Sequence, residues 1–178
     1  MPTNFEQLVT RQHLIISYIK EKIDIVNAIK NEFENNTLNN QFLLFTSHIY
    51  YRSIVVDLCS LFVDRKTEKN NFHLLYGVVT TDVLKPEAIS LIKDILEKHK
   101  EDILIINNLR DKEYAHYDFL TESISFNFDN FSIVNNLYQS AISILKITGS
   151  ERINEDNTCE YDLMLDDYLS SFKRLLQK

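Results

Sequence analysis

Hydrophobic residues recur at intervals of three, four and seven along most of the chain, which is the spacing of one face of an α-helix. This pattern predicts a long helix over roughly residues 4–34 and a second over about 41–63. The apolar positions that define the second are Phe42, Phe45, Ile49, Val56 and Phe62. A third helix of about 30 residues is predicted over roughly 86–117, the longest such signal in the sequence. A fourth is expected from about 131 to 149, and a tail helix over about 160–176.

The intervening stretches are polar and short. The residues from Asp64 to Asn71 are charged or polar, and a short helix is expected over Phe72–Val79. Pro86 suits the first turn of a helix, where a missing N–H costs nothing. The stretch Thr121–Asp129 alternates polar and apolar residues and is expected to be a loop or a brief strand.

Long amphipathic helices joined by short loops are most simply satisfied by an antiparallel bundle. Two glycines and two prolines in 178 residues argue against a turn-rich β-sandwich and against extended disorder. We therefore predict an all-α fold, an antiparallel bundle of three to four long helices plus short ones. It is expected to form one domain over 1–178 with its core at about 5–147.

Charge and cysteine content restrict the function. The formal net charge of −7 argues against a broad nucleic-acid footprint, so any RNA site must be local. Cys59 and Cys159 stand far apart, which excludes a disulfide framework and C-x-x-C motifs and favours two inert thiols. The N-terminus lacks the regions of a signal peptide, and no apolar run approaches the ~20 residues that span a bilayer. A cytoplasmic protein without a membrane partner is expected.

The segment that carries candidate chemistry is LRDKEYAHYD, residues 109–118, at the end of the longest predicted helix. Arg110, the polar Asp111 after it and His116 resemble the Arg-x4-6-His signature of the HEPN superfamily, the nucleotide-binding helical bundles of higher eukaryotes and prokaryotes. The sequence LCSLFVD, 58–64, closes the second long helix upstream. The combination resembles the abortive-infection and toxin branch of that superfamily over roughly 5–147.

This resemblance implies a metal-independent endoribonuclease that acts as a toxin or phage-defence effector on an RNA substrate. Histidine has a pKa near neutrality, so His116 would move protons at the 2′-hydroxyl or at the leaving oxygen. Arg110 is a permanent planar cation and would stabilise the charge on the phosphoryl oxygens. Attack by the 2′-hydroxyl would leave a 2′,3′-cyclic phosphate and a 5′-hydroxyl.

Residues next to Arg110 and His116 would support the same site. Asp111 would support the site, and Asp118 either orients a histidine or terminates the helix. Lys112 would bind RNA by adding positive charge around Arg110 and His116. Tyr114 and Tyr117 either stack on bases or are half-buried bundle residues.

The spacing of the motif poses a geometric problem. Six residues of an ideal helix advance ~9 Å and turn ~600°, which leaves Arg110 and His116 about 120° apart around the axis. Either the helix is distorted near 113–115, or two protomers bring their motifs together across a two-fold axis. The resemblance implies the second, a homodimer, and it also raises an antitoxin or nucleotidyltransferase partner. Asp118 occupies the position of the tyrosine that such a nucleotidyltransferase modifies, which weakens that scheme.

Other interpretations stay open. The acidic charge favours a catalytically inactive HEPN bundle that binds a protein or a nucleotide, because a chain of charge −7 repels RNA at long range. A further alternative is that residues 109–118 have no specific function and form a solvated helix end of mixed charge. Glu113-x-x-His116 has no second copy, the other histidines lack ligand spacing, and glycine-rich phosphate loops are absent. No metal and no cofactor are expected.

Overall fold

A computed structural model describes residues 4–34, 41–76, 84–111 and 130–148 of the chain. These residues form five α-helices, α1 (Asn4–Glu34), α2 (Gln41–Phe62), α3 (Pro86–Lys98), α4 (Lys100–Leu109) and α5 (Phe131–Ile147), and a 3-10 helix (Phe72–Tyr76). No strand occurs among them. The all-α fold predicted from the sequence is confirmed.

The helices α1 and α2 pack against each other as an antiparallel pair. Lys22 on α1 forms an ion pair with Asp57 and donates to Ser53 Oγ at 2.8 Å. Nearer the N-terminus of α1, the side-chain nitrogen Nε2 of Gln12 donates to the carbonyl of Asn70 at 3.0 Å. Asn70 lies beyond the end of α2. Positions nearer the N-terminus of α1 contact residues nearer the C-terminal end of α2 or beyond it, so the two helices run in opposite directions.

One continuous cluster of buried side chains joins all of these elements. α5 contacts each of the other four helices, and Val134, Leu137 and Ala141 on it are fully buried. The apolar positions that predicted this helix are the ones that it buries, which confirms the prediction: Phe131, Val134, Leu137, Tyr138, Ala141 and Leu145. Burial of this apolar surface is the main force that holds the bundle together.

The helix α2 is predicted correctly, but its buried face is not the expected one. Four of the five apolar positions that define its periodicity are exposed in the structure: Phe42, Phe45, Ile49 and Val56. The core side of α2 is instead formed by Ile54, Val55, Leu58, Cys59 and Leu61, all without solvent contact. α2 is apolar on more than one side, so periodicity alone cannot choose the side that packs.

The single helix predicted over 86–117 is wrong in its continuity, because α3 ends at Lys98 and α4 begins at Lys100. His99 between them has φ −102° and ψ 18°, outside the helical region. Its ring Nδ1 lies 2.9 Å from an oxygen of Asp102, a local contact that favours this backbone geometry. The backbone bonds from His99 N–H to Ile95 O and from Ile103 N–H to His99 O persist across the junction, so the interruption is confined to one residue.

The remaining predictions have mixed outcomes. Pro86 does occupy the first turn of α3, and the expected short helix exists as the 3-10 helix. The stretches 77–83, 121–129 and 160–176, together with Gly149, lie outside the described residues, so the tail helix and the single domain over 1–178 stay predictions. Across the described ranges, no helix has the length and apolar character to cross a membrane.

Candidate functional site

The first part of the candidate site is a tight turn that follows α2. The N–H of Glu68 donates to the carbonyl of Arg65 at 3.0 Å, which closes the turn 65–68. Farther along, the fully buried Gln12 of α1 donates to the carbonyls of Asn70 and Asn71, at 3.0 and 3.3 Å. A buried amide that bonds to two backbone carbonyls restrains the segment after the turn, because those groups would otherwise lose water without replacement.

The second part is the C-terminal end of α4, which carries Arg110. Ile106 is completely buried against α2, and its carbonyl accepts a hydrogen bond from the thiol of Cys59 at 3.4 Å. These contacts fix the rotation of α4 about its own axis. Asn107 is half-buried beside them, and Asp111, four residues later, lies on the same side of the helix.

Arg65 joins the two parts. Its Nη2 donates to Asn107 Oδ1 at 2.6 Å and to both carboxylate oxygens of Asp111, at 2.8 and 3.0 Å. Hydrogen bonds in which both partners are charged are stronger than neutral ones. The turn after α2 is therefore attached to the last turn of α4 and to the residue two positions beyond its end.

Arg110, the predicted catalytic arginine, lies in the same cluster. Its Nε is 3.3 Å from Asp111 Oδ1, and its Nη1 is 3.7 Å from Glu68 Oε1. The Arg110 side chain is 19% exposed and that of Asp111 48%, so the cluster is at the surface with the arginine partly covered. The guanidinium has a defined orientation, and Nη2 carries two further N–H donors for a ligand.

The backbone changes its winding where the motif begins. α4 ends at Leu109, and the wider π-helical pattern starts at Arg110 and Asp111. Such turns shift the angular positions of all later residues and occur frequently at functional sites. The distortion expected near 113–115 lies outside the described residues, but an irregularity already exists at Arg110.

The charges of this cluster balance one another among the described residues. The two guanidinium groups face two carboxylates, those of Glu68 and Asp111, so the four formal charges cancel. Burial raises the pKa of the nearby Cys59 thiol to about 12, with the Arg65 charge acting against this and the carboxylates adding to it. Cys59 is thus an inert thiol, as predicted; Cys159 lies outside the described residues.

Of the sequence-predicted site residues, the structure describes Arg110 and Asp111 and places them in contact. The others lie outside the described residues: Lys112, Tyr114, His116, Tyr117 and Asp118. Sequence reasoning missed Arg65, Glu68 and Asn107. The only available signal was the charged stretch 64–71 directly after a long apolar helix, which has no periodicity to indicate a partner.

A cavity of about 500 Å³ is lined by described residues outside this cluster. Its floor is apolar and its rim carries both charges, with Lys100 paired to Glu97 at 2.9 Å. It lies between the end of α2, the 3-10 helix, α3 and α4, and its lining residues are Phe62, Val63, Asp64, His73, Lys93, Asp94, Leu96, Glu97, Lys100 and Ile103. This volume is in the range of small-molecule pockets.

Within the ranges that the structure describes, no three histidine, cysteine or acidic side chains come together in a group suited to a metal ion. Comparison of the chain with protein-family models, with curated proteins and with solved structures finds no match.

Proposed function

We propose that this protein is a metal-independent endoribonuclease of HEPN type, a toxin or phage-defence effector that acts in the cytoplasm. RNA is its substrate and Arg110 and His116 are its catalytic residues, with Asp111 and Asp118 in support. Lys112, Tyr114 and Tyr117 contribute to RNA binding. The proposal rests on the motif resemblance together with the arrangement around Arg110.

The reaction is a transesterification followed by product release. His116 moves a proton at the 2′-hydroxyl or at the leaving oxygen, the 2′-oxygen attacks phosphorus, and the bond to the 5′-oxygen breaks. The products are a 2′,3′-cyclic phosphate and a 5′-hydroxyl. The 2′-hydroxyl loses one proton and the leaving 5′-oxygen gains one, so no net proton is consumed or released. Arg110 binds the nonbridging oxygens, whose negative charge grows in the transition state.

The observation that carries the proposal is the orientation of Arg110 at a surface helix end. Carboxylates on two sides hold its Nε and Nη1, and 19% of the side chain is exposed. An arginine held in this way loses little conformational freedom when a phosphate binds, which is what preorganised charge stabilisation requires.

The proposal includes a homodimer, in which two copies of the motif face each other. Two apolar side chains support a self-contact near the motif: Leu104 is 59% exposed and Ile105 36% exposed, on the turns of α4 that precede Arg110. Apolar side chains next to each other on a surface commonly mark interfaces. An antitoxin or nucleotidyltransferase partner would be additional to this dimer.

The test is an RNA-cleavage assay in excess EDTA, with product ends identified by mass spectrometry. The parent chain should cleave and leave cyclic phosphates, because the proposed chemistry uses only side chains. Arg110→Ala and His116→Ala should each lose activity by about a hundredfold or more. Arg11→Ala is the matched control, since it removes one exposed positive charge from α1. Cleavage that requires added magnesium or zinc, or parental rates in either site variant, would contradict the mechanism.

A second candidate function is a catalytically inactive HEPN bundle that binds a nucleotide or a protein, and the cavity of about 500 Å³ favours the nucleotide. Its apolar side chains suit a base, and Lys93 and Lys100 are the cations that a phosphate would contact, on a rim that also carries Asp64, Asp94 and Glu97. A protein that leaves RNA intact but binds adenosine triphosphate by calorimetry, with weaker binding in Lys93→Ala, would support this function instead.

A further inference from the structure

The turn 65–68 holds the end of α4 from two sides. Arg65 binds Asp111 and Asn107, while Glu68, three residues later, lies 3.7 Å from Arg110. The order in space is Arg65, Asp111, Arg110, Glu68, with alternating charge. Since Arg65 and Glu68 are linked by their own backbone hydrogen bond, the four residues form a closed ring.

Asp111 connects the side chain of Arg110 to the side chain of Arg65. The Asp111 carboxylate accepts from Arg65 Nη2 at 2.8 and 3.0 Å, and its Oδ1 is also 3.3 Å from Arg110 Nε. A carboxylate next to an arginine in sequence has several rotamers, and most of them do not face that arginine. The bonds from Arg65 select the rotamer in which Asp111 faces Arg110.

The restraint matters more here than it would in a regular helix. The backbone winding widens at Arg110 and Asp111, so the helix itself positions these side chains less firmly. A misplacement of about 1 Å in a charge-stabilising group can cost about a hundredfold in rate. The contacts from the turn therefore affect the rate of any reaction that uses Arg110.

We infer that Arg65 is a positioning residue for the reaction proposed above, holding the Arg110 guanidinium in its working orientation through Asp111. Arg65 does not touch the substrate in this role. The inference rests on the proposed function for its catalytic consequence, whereas the link from Arg65 to Arg110 can be tested without any RNA.

The link is tested by NMR of the ¹⁵N-labelled full-length protein, through the Nε–H signal of Arg110. In the parent this signal should be visible near neutral pH, assigned by its absence in Arg110→Ala, because the contact with Asp111 slows exchange with water. Arg65→Ala should broaden or remove it. Lys66→Ala is the matched control: it removes the same charge one residue away, from an exposed side chain. An Arg110 signal that is unchanged in Arg65→Ala overturns the inference.

The catalytic consequence is tested by single-turnover kinetics with an RNA substrate in EDTA. Arg65→Ala should lower the cleavage rate at saturating RNA by about tenfold to a hundredfold. The RNA concentration that gives half of the maximal rate should change by less than about threefold. Arg65→Lys should recover to within about threefold of the parent, because a single nitrogen makes all the contacts and an ammonium has three donors. A residue that only stabilised the fold would leave the rate of the folded protein unchanged, and that result overturns the inference.

The two proposals fail differently. A parent protein that cleaves no RNA overturns the proposed function and removes the catalytic role of Arg65 with it. A parent that cleaves while Arg65→Ala cleaves equally well leaves the nuclease in place and overturns the inference alone. Equal losses in Arg65→Ala and Lys66→Ala would assign the effect to net charge, which also overturns it.

Discussion

The thiol of Cys59 makes the stability of this protein depend on pH in a way that can be calculated. Cys59 has no solvent exposure, and its pKa is raised from 9.0 to about 12 by burial. In the unfolded chain the thiol ionises above about pH 9, whereas in the folded chain it stays protonated. The unfolded state therefore binds fewer protons at high pH, and the free energy of unfolding falls as pH rises above about 9.

The magnitude follows from the two pKa values. At about pH 10, the unfolded state gains RT ln(1 + 10) from ionisation and the folded state gains almost nothing, a loss of about 1.4 kcal/mol of stability. This effect belongs to Cys59 alone, because the carboxylates and lysines are the same in a variant that lacks the thiol. Cys59→Ala also leaves a small cavity, but that cost is the same at both pH values.

The assay is urea denaturation at about pH 7 and about pH 10, in a Cys159→Ala background so that only one thiol is present. The chain with Cys59 should lose about 1.4 kcal/mol more between the two pH values than the chain with Cys59→Ala. Equal pH dependence in the two chains would refute the reasoning. So would alkylation of Cys59 by iodoacetamide at the rate of a free cysteine, since a buried neutral thiol is unreactive.

Two further predictions concern α4. Ile106→Ala should destabilise the protein by about 2–5 kcal/mol in urea denaturation, because Ile106 is completely buried between α4 and α2; a loss below about 1 kcal/mol would mean that α4 is not anchored there. Light scattering at micromolar concentration should find the parent dimeric and Leu104→Asp monomeric, because a charge at an apolar contact costs more than the contact gains. Leu91→Asp, at a similarly exposed position on α3, should remain dimeric. A monomeric parent would contradict the homodimer.

The sequence predicts the helices well because each has enough turns for its periodicity to be read. α1 and α5 match their predicted bounds closely, and α5 buries the expected residues. The face of α2 was not predictable, since apolar residues occur on more than one side of it and only the neighbouring helices select the buried one. The apolar stripe continues through the interruption at His99, where the ring contacts Asp102, so the stripe gives no sign of it.

The candidate site is predictable only in the part that is local in sequence. Arg110 and Asp111 are adjacent, so a motif can include both of them. Arg65 and Glu68 reach the same place because α2 and α4 pack together, and the sequence of a charged loop does not reveal which helix end it will contact. The approach of Glu68 to Arg110 is one such contact, because it joins a loop to a helix end 42 positions later.

The ring of charged residues is divided between parts of the chain that are synthesised at different times. Arg65 and Asp111 are 46 positions apart, and a ribosome that has just made Arg65 has not yet made α3 or α4. Any truncated product that stops before residue 110 lacks half of the ring. For the proposed nuclease, an interrupted round of translation would therefore release fragments without a complete arginine site, and toxicity would require synthesis past the motif.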